Sequence, residues 1–222
     1  MLKMKHRTYK LIGLTPILGA QPAAKNLREK WIATKAPKLE DGLEEADMIS
    51  VDQNESGFYV FNRYQLPAKN GRDGEEVLCM MMHQIKGFFK ESLGALKYQS
   101  GMTQHKSKID TLLFVDGRHG RYIPLTRDGE YIIDPDEQLE RPIRVETPKG
   151  PRTALNSSEM LNEPWGLVVD LSILDNNARG KSDALTWEKV ELAMEYGGLH
   201  GLGQWRNAGY GSFRFELLEG DD

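Results

Sequence analysis

The order in which strand-forming and helix-forming segments follow one another constrains this chain most. Apolar runs at residues 6–19 and from Trp165 to Leu174 predict two central strands. Two other segments have the three-and-four spacing of apolar residues that marks an amphipathic helix, and a further strand-forming run follows each of them. The helices are predicted at Glu75 to Tyr98 and Trp187 to about Gly197, and the further strands at Ile109 to Val115 and Tyr210 to Leu218.

This order, strand, helix, strand, strand, helix, strand, is the βαββαβ pattern of an α+β, ferredoxin-like fold. Both helices are expected on one face of an antiparallel sheet, which leaves the other face free for a ligand or a partner. The chain of 222 residues has the length of a single domain, predicted to span 1–222. Its core is expected at about 1–98 and 164–222, with a β-rich insertion at about 99–163.

Charge and cysteine content exclude several classes of protein. The net charge of −4 argues against indiscriminate binding to duplex DNA, although it leaves room for a narrow basic groove. The single cysteine, Cys79, excludes a disulfide framework and fits a reducing, cytoplasmic location, and its apolar surroundings predict a buried structural thiol. No run of 18 apolar residues is present, so we expect no membrane span.

Neither a metal nor another cofactor is expected. None of the five histidines pairs with another at i,i+4 or lies near a matching carboxylate. The residues 40–55 are rich in acids and predict a solvated loop. The insertion instead carries arginines, among them Arg118, Arg121 and Arg141, interleaved with Tyr122 and Tyr131 and diluted by acids. This pattern is compatible with a nucleic-acid contact strip or with a solvated hairpin that touches a neighbouring subunit.

The most unusual segment lies between the second helix and the last strand. It has six glycines within fifteen positions, at 197, 198, 201, 203, 209 and 211. Glycine lets a backbone approach another backbone or a phosphate closely. Arg206 offers a fork for phosphate, and His200, Trp205 and Tyr210 offer surfaces on which bases can stack. An ordinary glycine-rich connection with Trp205 buried beneath it remains the alternative.

From Gly201 to Gly211 this segment reads Gly-x-Gly-x-x-Arg-x-x-Gly-x-Gly and resembles the glycine-rich loop of RAMP proteins of CRISPR systems, which include Cas7-like backbone subunits, Cas5 and the Cas6 ribonucleases. A second segment, Gln-Ile-Lys-Gly-Phe-Phe-Lys-Glu from Gln84 to Glu91, resembles a guide-contacting helix of Cas7-like subunits. Lys86, Gly87 and Lys90 take the positions of that helix motif. The end of the chain is also similar to small phage-encoded proteins. The resemblance covers roughly residues 75–98 and 165–218.

The resemblance implies a RAMP-type core and a non-catalytic subunit that binds single-stranded nucleic acid, RNA before DNA. Its partners would be copies of itself or other subunits of the complex. The residues expected to contact nucleic acid are Lys86, Lys90, Lys106, Lys108, Arg118, Arg121, His200, Gly203, Trp205, Arg206, Gly209 and Tyr210.

Two alternatives stay open at this stage. A Cas6-like, metal-independent endoribonuclease would use His105, which has Lys106 and Lys108 nearby, or His200 as its general acid or base. A phage-encoded protein-interaction or structural module with a Cas7-like fold would explain the acidic segment at 40–55 without any nucleic acid.

Overall fold

The computed structural model describes residues 3–22, 57–67, 74–147, 150–174 and 183–220. Mixed α+β structure is confirmed, with strands in the majority. The acidic segment at 40–55 lies outside the described residues, so its predicted loop stays a prediction. In the described ranges, none of the helices has the length and apolar character needed to cross a membrane.

The elements follow one another in this order: β1 (Met4–Gly13), β2 (Ile17–Leu18), β3 (Gln21–Pro22), β4 (Gly57–Val60), β5 (Asn62–Gln65), β6 (Glu76–Met81), α1 (Met82–Ala95), α2 (Lys97–Ser100), α3 (His105–Leu112), β7 (Leu113–Asp116), β8 (Tyr122–Pro124), β9 (Thr126–Arg127), β10 (Glu130–Tyr131), β11 (Glu137–Thr147), β12 (Gly150–Leu161), β13 (Gly166–Leu174), α4 (Trp187–His200) and β14 (Phe213–Gly220). A short 3₁₀ helix covers Arg206–Ala208.

The main sheet has β1 and β13 at its centre, as the apolar runs predict. β1 pairs antiparallel with β13 on one side and with β14 on the other, and β7 pairs antiparallel with β13. The resulting order is β14, β1, β13, β7. At Gly166, the first residue of β13, the short strand β9 pairs with β13, and β10 pairs with β9. Along the chain these strands are separated by helices in the sequence β1, α1 with α3, β7, β13, α4, β14.

The helices cover one face of this sheet. Alternate residues of β13 are buried, which is the signature of a sheet with one packed face. Tyr9 from β1 and Leu171 from β13 belong to one apolar core with Phe89 from α1 and Val190 from α4. Trp165, which is 1% exposed, belongs to the same core and fits there because Gly13 has no side chain beside its indole. Its Nε1 donates a hydrogen bond to the Thr15 carbonyl oxygen at 2.8 Å.

The described residues also form two smaller sheets. The long hairpin of β11 and β12 is extended by β4, which is parallel to β12, and β4 in turn pairs with β3, while β2 also pairs with β12. The third sheet has the order β5, β6, β8. The hairpin therefore joins the start of the chain to the β-rich middle region.

The predicted helix at Glu75 to Tyr98 begins too early. Residues 76–81 form strand β6, and the helix starts at Met82. Val77 to Met80 are four consecutive buried residues, and β6 has a hydrogen-bonded partner on each side. A strand buried on both faces carries apolar residues at every position, so it continues the apolar pattern of the helix that follows it.

The strand predicted at Ile109 to Val115 is also wrong in part. Helix α3 extends to Leu112, and the strand is confined to β7 at Leu113–Asp116. Ile109 and Leu112 are buried and lie three residues apart on α3, so their spacing fits a helix face.

We expect Gly197→Ala to destabilise the fold. Gly197 packs directly on the Phe88 ring and near Ser92, and an added methyl would overlap them. Overpacking of this kind costs roughly 1–3 kcal/mol. Gly87→Ala on α1 is the matched control, because its position is open and alanine favours a helix over glycine by about 1 kcal/mol. The urea concentration at the unfolding midpoint should therefore fall in Gly197→Ala and rise in Gly87→Ala. Equal midpoint shifts in the two variants would contradict this packing.

Candidate functional site

The glycine-rich loop between α4 and β14 is held against the turn that follows β1. The Gly211 amide donates to the Pro16 carbonyl at 2.7 Å, and the Leu202 amide donates to the Gly211 carbonyl at 2.8 Å. The Ser212 amide donates to Thr15 Oγ1 at 2.9 Å. Leu202 is buried in the core, so the loop has an apolar anchor as well as hydrogen bonds.

Close backbone approach accounts for two of the glycines. Gly203 has a φ of +80° and Gly211 a φ of +76°, and both lie in the left-handed region that favours glycine. A Cβ at Gly203 would lie 2.7 Å from the Leu18 carbonyl oxygen, and one at Gly211 would overlap Leu202. Gly209, in contrast, faces open space. That Gly203 and Gly209 contact nucleic acid stays a prediction.

The loop carries two aromatic residues, Trp205 and Tyr210, whose rings are stacked. The rings of Trp205 and Tyr210 are 5.3 Å apart with an angle of 15° between them, and Trp205 is 42% exposed. Trp205 has a φ of 56°, which is unusual for a bulky residue. A backbone in such a region costs about 1–3 kcal/mol, which neighbouring contacts must offset. The alternative of a buried Trp205 is therefore wrong, and an exposed stack takes its place.

Arg141 from β11 lies against this aromatic pair. Its guanidinium carbon is 4.2 Å from the centre of the Trp205 ring, which is a cation–π contact. Arg141 is only 8% exposed, and within the described residues its Nε and Nη1 have no hydrogen-bond partner. Asn156 lies opposite Arg141 on β12, and its Oδ1 is also buried without a partner there.

Burial lowers the pKa of Arg141, and the nearby phenols of Tyr59 and Tyr210 partly oppose this shift. A guanidinium nevertheless stays charged in proteins. The aromatic pair is therefore next to a desolvated positive charge that no carboxylate of the described residues neutralises. The Trp205, Tyr210 and Arg141 group is called the loop platform below.

Arg206 and His200 are held by α1. Arg206 Nη1 is 2.7 Å from Glu91 Oε2, and His200 Nε2 is 3.2 Å from Glu91 Oε1. Burial raises the pKa of Glu91, but the hydrogen bonds from Arg206 and His200 outweigh it and the pKa is lowered. The ring of His200 also stacks on Tyr196. The fork predicted for phosphate is therefore occupied by a carboxylate of the chain itself.

The two lysines of α1 face α3. Lys90 Nζ is 2.5 Å from a carboxylate oxygen of Asp110, and Lys86 Nζ donates to the Asp110 backbone carbonyl at 3.2 Å. Lys86 also lies 5.7 Å from the centre of the Phe114 ring. The structure thus brings both lysines to Asp110, and the carboxylate of Asp110 neutralises Lys90.

The residues predicted on α3 point to different neighbours. The His105 ring lies against α1, where a Cβ at Gly94 would be 3.0 Å from its Nε2. Lys106 is exposed, and Lys108 pairs with Asp183 at 2.5 Å. Hydrogen bonds from Lys108 and from Thr103 lower the pKa of Asp183 to about 2.

The two arginines after β7 have separate partners. Arg118 Nε is 2.9 Å from Asp170 Oδ2, and Thr8 donates to the other oxygen of that carboxylate. Burial raises the pKa of Asp170, but these hydrogen bonds outweigh it and lower the pKa. Arg121 Nη2 instead donates to the Tyr122 hydroxyl at 3.1 Å, and its side chain is exposed.

The structure therefore unites Trp205 and Tyr210 with Arg141, which the sequence marked only as one basic residue of the insertion. Arg141 is far from the loop in sequence. It pairs with Asn156 of β12, and the hydroxyl of Ser158 on the same strand donates to Gln204 of the loop. Among the residues described, no three histidine, cysteine, aspartate or glutamate side chains are grouped so that they could hold a metal ion.

No family model and no curated protein matches the chain. A solved structure of a Type IV-B CRISPR complex contains a chain that is similar over 96% of this chain and 90% of that one, with 10% sequence identity and a TM-score of 0.49.

We expect the Glu91 bridge to stabilise the fold at neutral pH and to lose this effect in acid. The pKa of Glu91 is lower in the folded state than its ordinary value of 4.5, so its stabilisation is present above that value. It disappears as the pH falls through the lowered pKa. Because the Glu91 side chain is 46% exposed, the effect should be about 1 kcal/mol or less.

The measurement is urea unfolding of wild type and Glu91→Gln across the acid range. The difference between the two proteins should shrink as the pH falls below 4.5. Glu195→Gln, on an exposed position of α4, is the control. A stability difference between wild type and Glu91→Gln that does not change with pH would contradict a stabilising role of the Glu91 carboxylate.

Proposed function

We propose that this protein binds single-stranded nucleic acid, RNA before DNA, through the loop platform, as a non-catalytic subunit of a larger assembly. The observation that carries the proposal is the stack of the exposed Trp205 on the half-buried Tyr210, with the buried guanidinium of Arg141 against it. Two nitrogens of that guanidinium have no hydrogen-bond partner among the residues described. Proteins that hold single strands without reading sequence combine aromatic surfaces with positive charge in this way.

The charge of Arg141 supports a polyanionic ligand. A desolvated charge acts more strongly on its surroundings than a charge in water, because the local dielectric constant is lower. A base stacked on Trp205 would bring its phosphate close to this charge. The exposed Lys106 and Arg121 would add weaker, salt-dependent attraction. Lys90 and Arg206 would first have to exchange a carboxylate for phosphate, and Lys86 a backbone carbonyl.

The architecture supports a RAMP-type subunit. The strand order β14, β1, β13, β7, with helices on one face, is the order that a split βαβ pattern gives, and we assign it as a ferredoxin-like core. The glycine-rich loop that resembles the RAMP loop lies directly before the last core strand. Partners would be copies of the chain or other subunits of a CRISPR-like complex, and strands β8 to β12 would form the insertion.

Binding is tested by fluorescence anisotropy of labelled single-stranded RNA, single-stranded DNA and duplex over a salt series. Trp205→Leu should raise the dissociation constant by roughly 5- to 150-fold, because stacking on an aromatic side chain contributes about 1–3 kcal/mol per base. Tyr98→Leu is the matched control, since Tyr98 is 84% exposed and has Lys97 over its ring but lies outside the platform. Absence of single-strand binding at low salt would overturn the proposal and favour a module that contacts only proteins.

Arg141→Met separates a ligand role from a structural one. Replacing an unpaired buried charge by an apolar side chain is often neutral or stabilising. We therefore expect the variant to unfold at the same urea concentration as wild type or a higher one, while binding weakens and its salt dependence falls by roughly one charge. Loss of stability with unchanged binding would show that Arg141 only supports Trp205.

A second candidate function, metal-independent RNA cleavage, is favoured by one observation. His105 and His200 come from different helices, yet they contact Gly94 and Glu91, which are three residues apart on α1 and thus neighbours on its surface. A histidine oriented by a carboxylate can act as a general base. Products with 2′,3′-cyclic phosphate ends that disappear in His200→Ala or His105→Ala would establish this activity, and intact RNA on the gel would exclude it.

A further inference from the structure

A second group of aromatic side chains lies on the sheet of β5, β6 and β8. The rings of Tyr64 and Tyr122 are stacked, with 4.6 Å between their centres and an angle of 24°. His119 lies 5.6 Å from Tyr64, and its Nε2 is 3.3 Å from the hydroxyl of Tyr131, which is 43% exposed. Tyr64, His119, Tyr122 and Tyr131 are called the second cluster below.

Strand pairing places the two stacked rings on one side of the sheet. Tyr64 pairs with Val77, and Tyr122 pairs with Met81 on the same strand β6. Val77 and Met81 are four residues apart and therefore point to the same face of a strand. Tyr64 and Tyr122 flank β6 on that face, so each comes from a different neighbouring strand.

A cation accompanies the rings. The Arg121 guanidinium carbon is 5.2 Å from the centre of the Tyr122 ring, and the side chain is exposed. Neither Arg121 nor His119 forms an ion pair with a carboxylate of the residues described here. Partly exposed rings thus lie beside an exposed arginine, whereas the arginine of the loop platform is buried.

Residues close in sequence to each of the two aromatic groups meet at one small cavity. Gly203 of the loop and Asn62 of β5 line the same small cavity. Trp205 is two residues beyond Gly203, and Tyr64 is two residues beyond Asn62, with its side chain on the same face of β5. Two residues of chain span at most about 7 Å, so Trp205 lies within that distance of Gly203, and Tyr64 within that distance of Asn62.

We propose that the second cluster is a further base-stacking site for the same single strand that occupies the loop platform. This inference rests on the proposed function. It adds that the bound strand must be long enough to reach both aromatic groups. A short oligonucleotide would occupy one aromatic group, whereas a longer one would reach both and gain affinity from the second contact. Arg121 would contact the backbone phosphate next to the base stacked on Tyr122.

The experiment measures the affinity of fluorescein-labelled oligouridylates of about 4 and 16 nucleotides, which bracket the site size of single-strand binding folds. The double variant Tyr64→Leu with Tyr122→Leu should bind the long oligomer roughly tenfold more weakly, and the short one as wild type does. Tyr64→Phe with Tyr122→Phe retains both rings and is the matched control, expected to behave as wild type. Trp205→Leu should weaken both oligomers.

A further variant tests the second cluster without disturbing the fold. Arg121→Gln replaces an exposed side chain, so the fold should be unaffected, and the slope of log affinity against log salt should fall by roughly one for the long oligomer alone. If wild type binds both oligomers but the leucine and glutamine variants bind the long one unchanged, the second site is wrong and the proposed function stands. If wild type binds neither oligomer, the proposed function itself fails.

Discussion

The contact between Trp165 and Gly13 positions the glycine-rich loop and the aromatic pair that it carries. The indole of Trp165 fills the space beside Gly13, and its hydrogen bond to the Thr15 carbonyl fixes the turn after β1. The glycine-rich loop is in turn hydrogen-bonded to Pro16 and Thr15 of that turn. Buried packing at the end of one central strand thus sets the position of an exposed aromatic surface.

Several cations of this acidic protein are neutralised by nearby carboxylates. Lysines and arginines of the helices pair with Glu91, Asp110 or Asp183, and Arg118 pairs with Asp170. Arg141 and Arg121, which face the rings of Trp205 and Tyr122, differ because neither has a carboxylate partner among the residues described. An overall negative charge is therefore compatible with local positive potential at two aromatic groups.

Much of the fold can be predicted from the sequence, because apolar runs and helical spacing report directly on burial. The central strands and the helix at Trp187 follow from such patterns. The boundary at Met82 does not, since a strand buried on both faces continues the apolar pattern of the helix. For the site, Trp205 and Tyr210 are recognisable as stacking residues, but Arg141 and Tyr64 join aromatic groups only through long-range strand pairing.

The left-handed backbone of Trp205 costs folding stability, whereas its indole provides the proposed ligand contact. Glycine or asparagine would adopt this conformation at lower cost, so either residue would relax the loop. Both would also remove the indole that Arg141 and Tyr210 contact. Selection for thermal stability alone would therefore drive this position away from tryptophan, and only selection for what the indole touches would retain it.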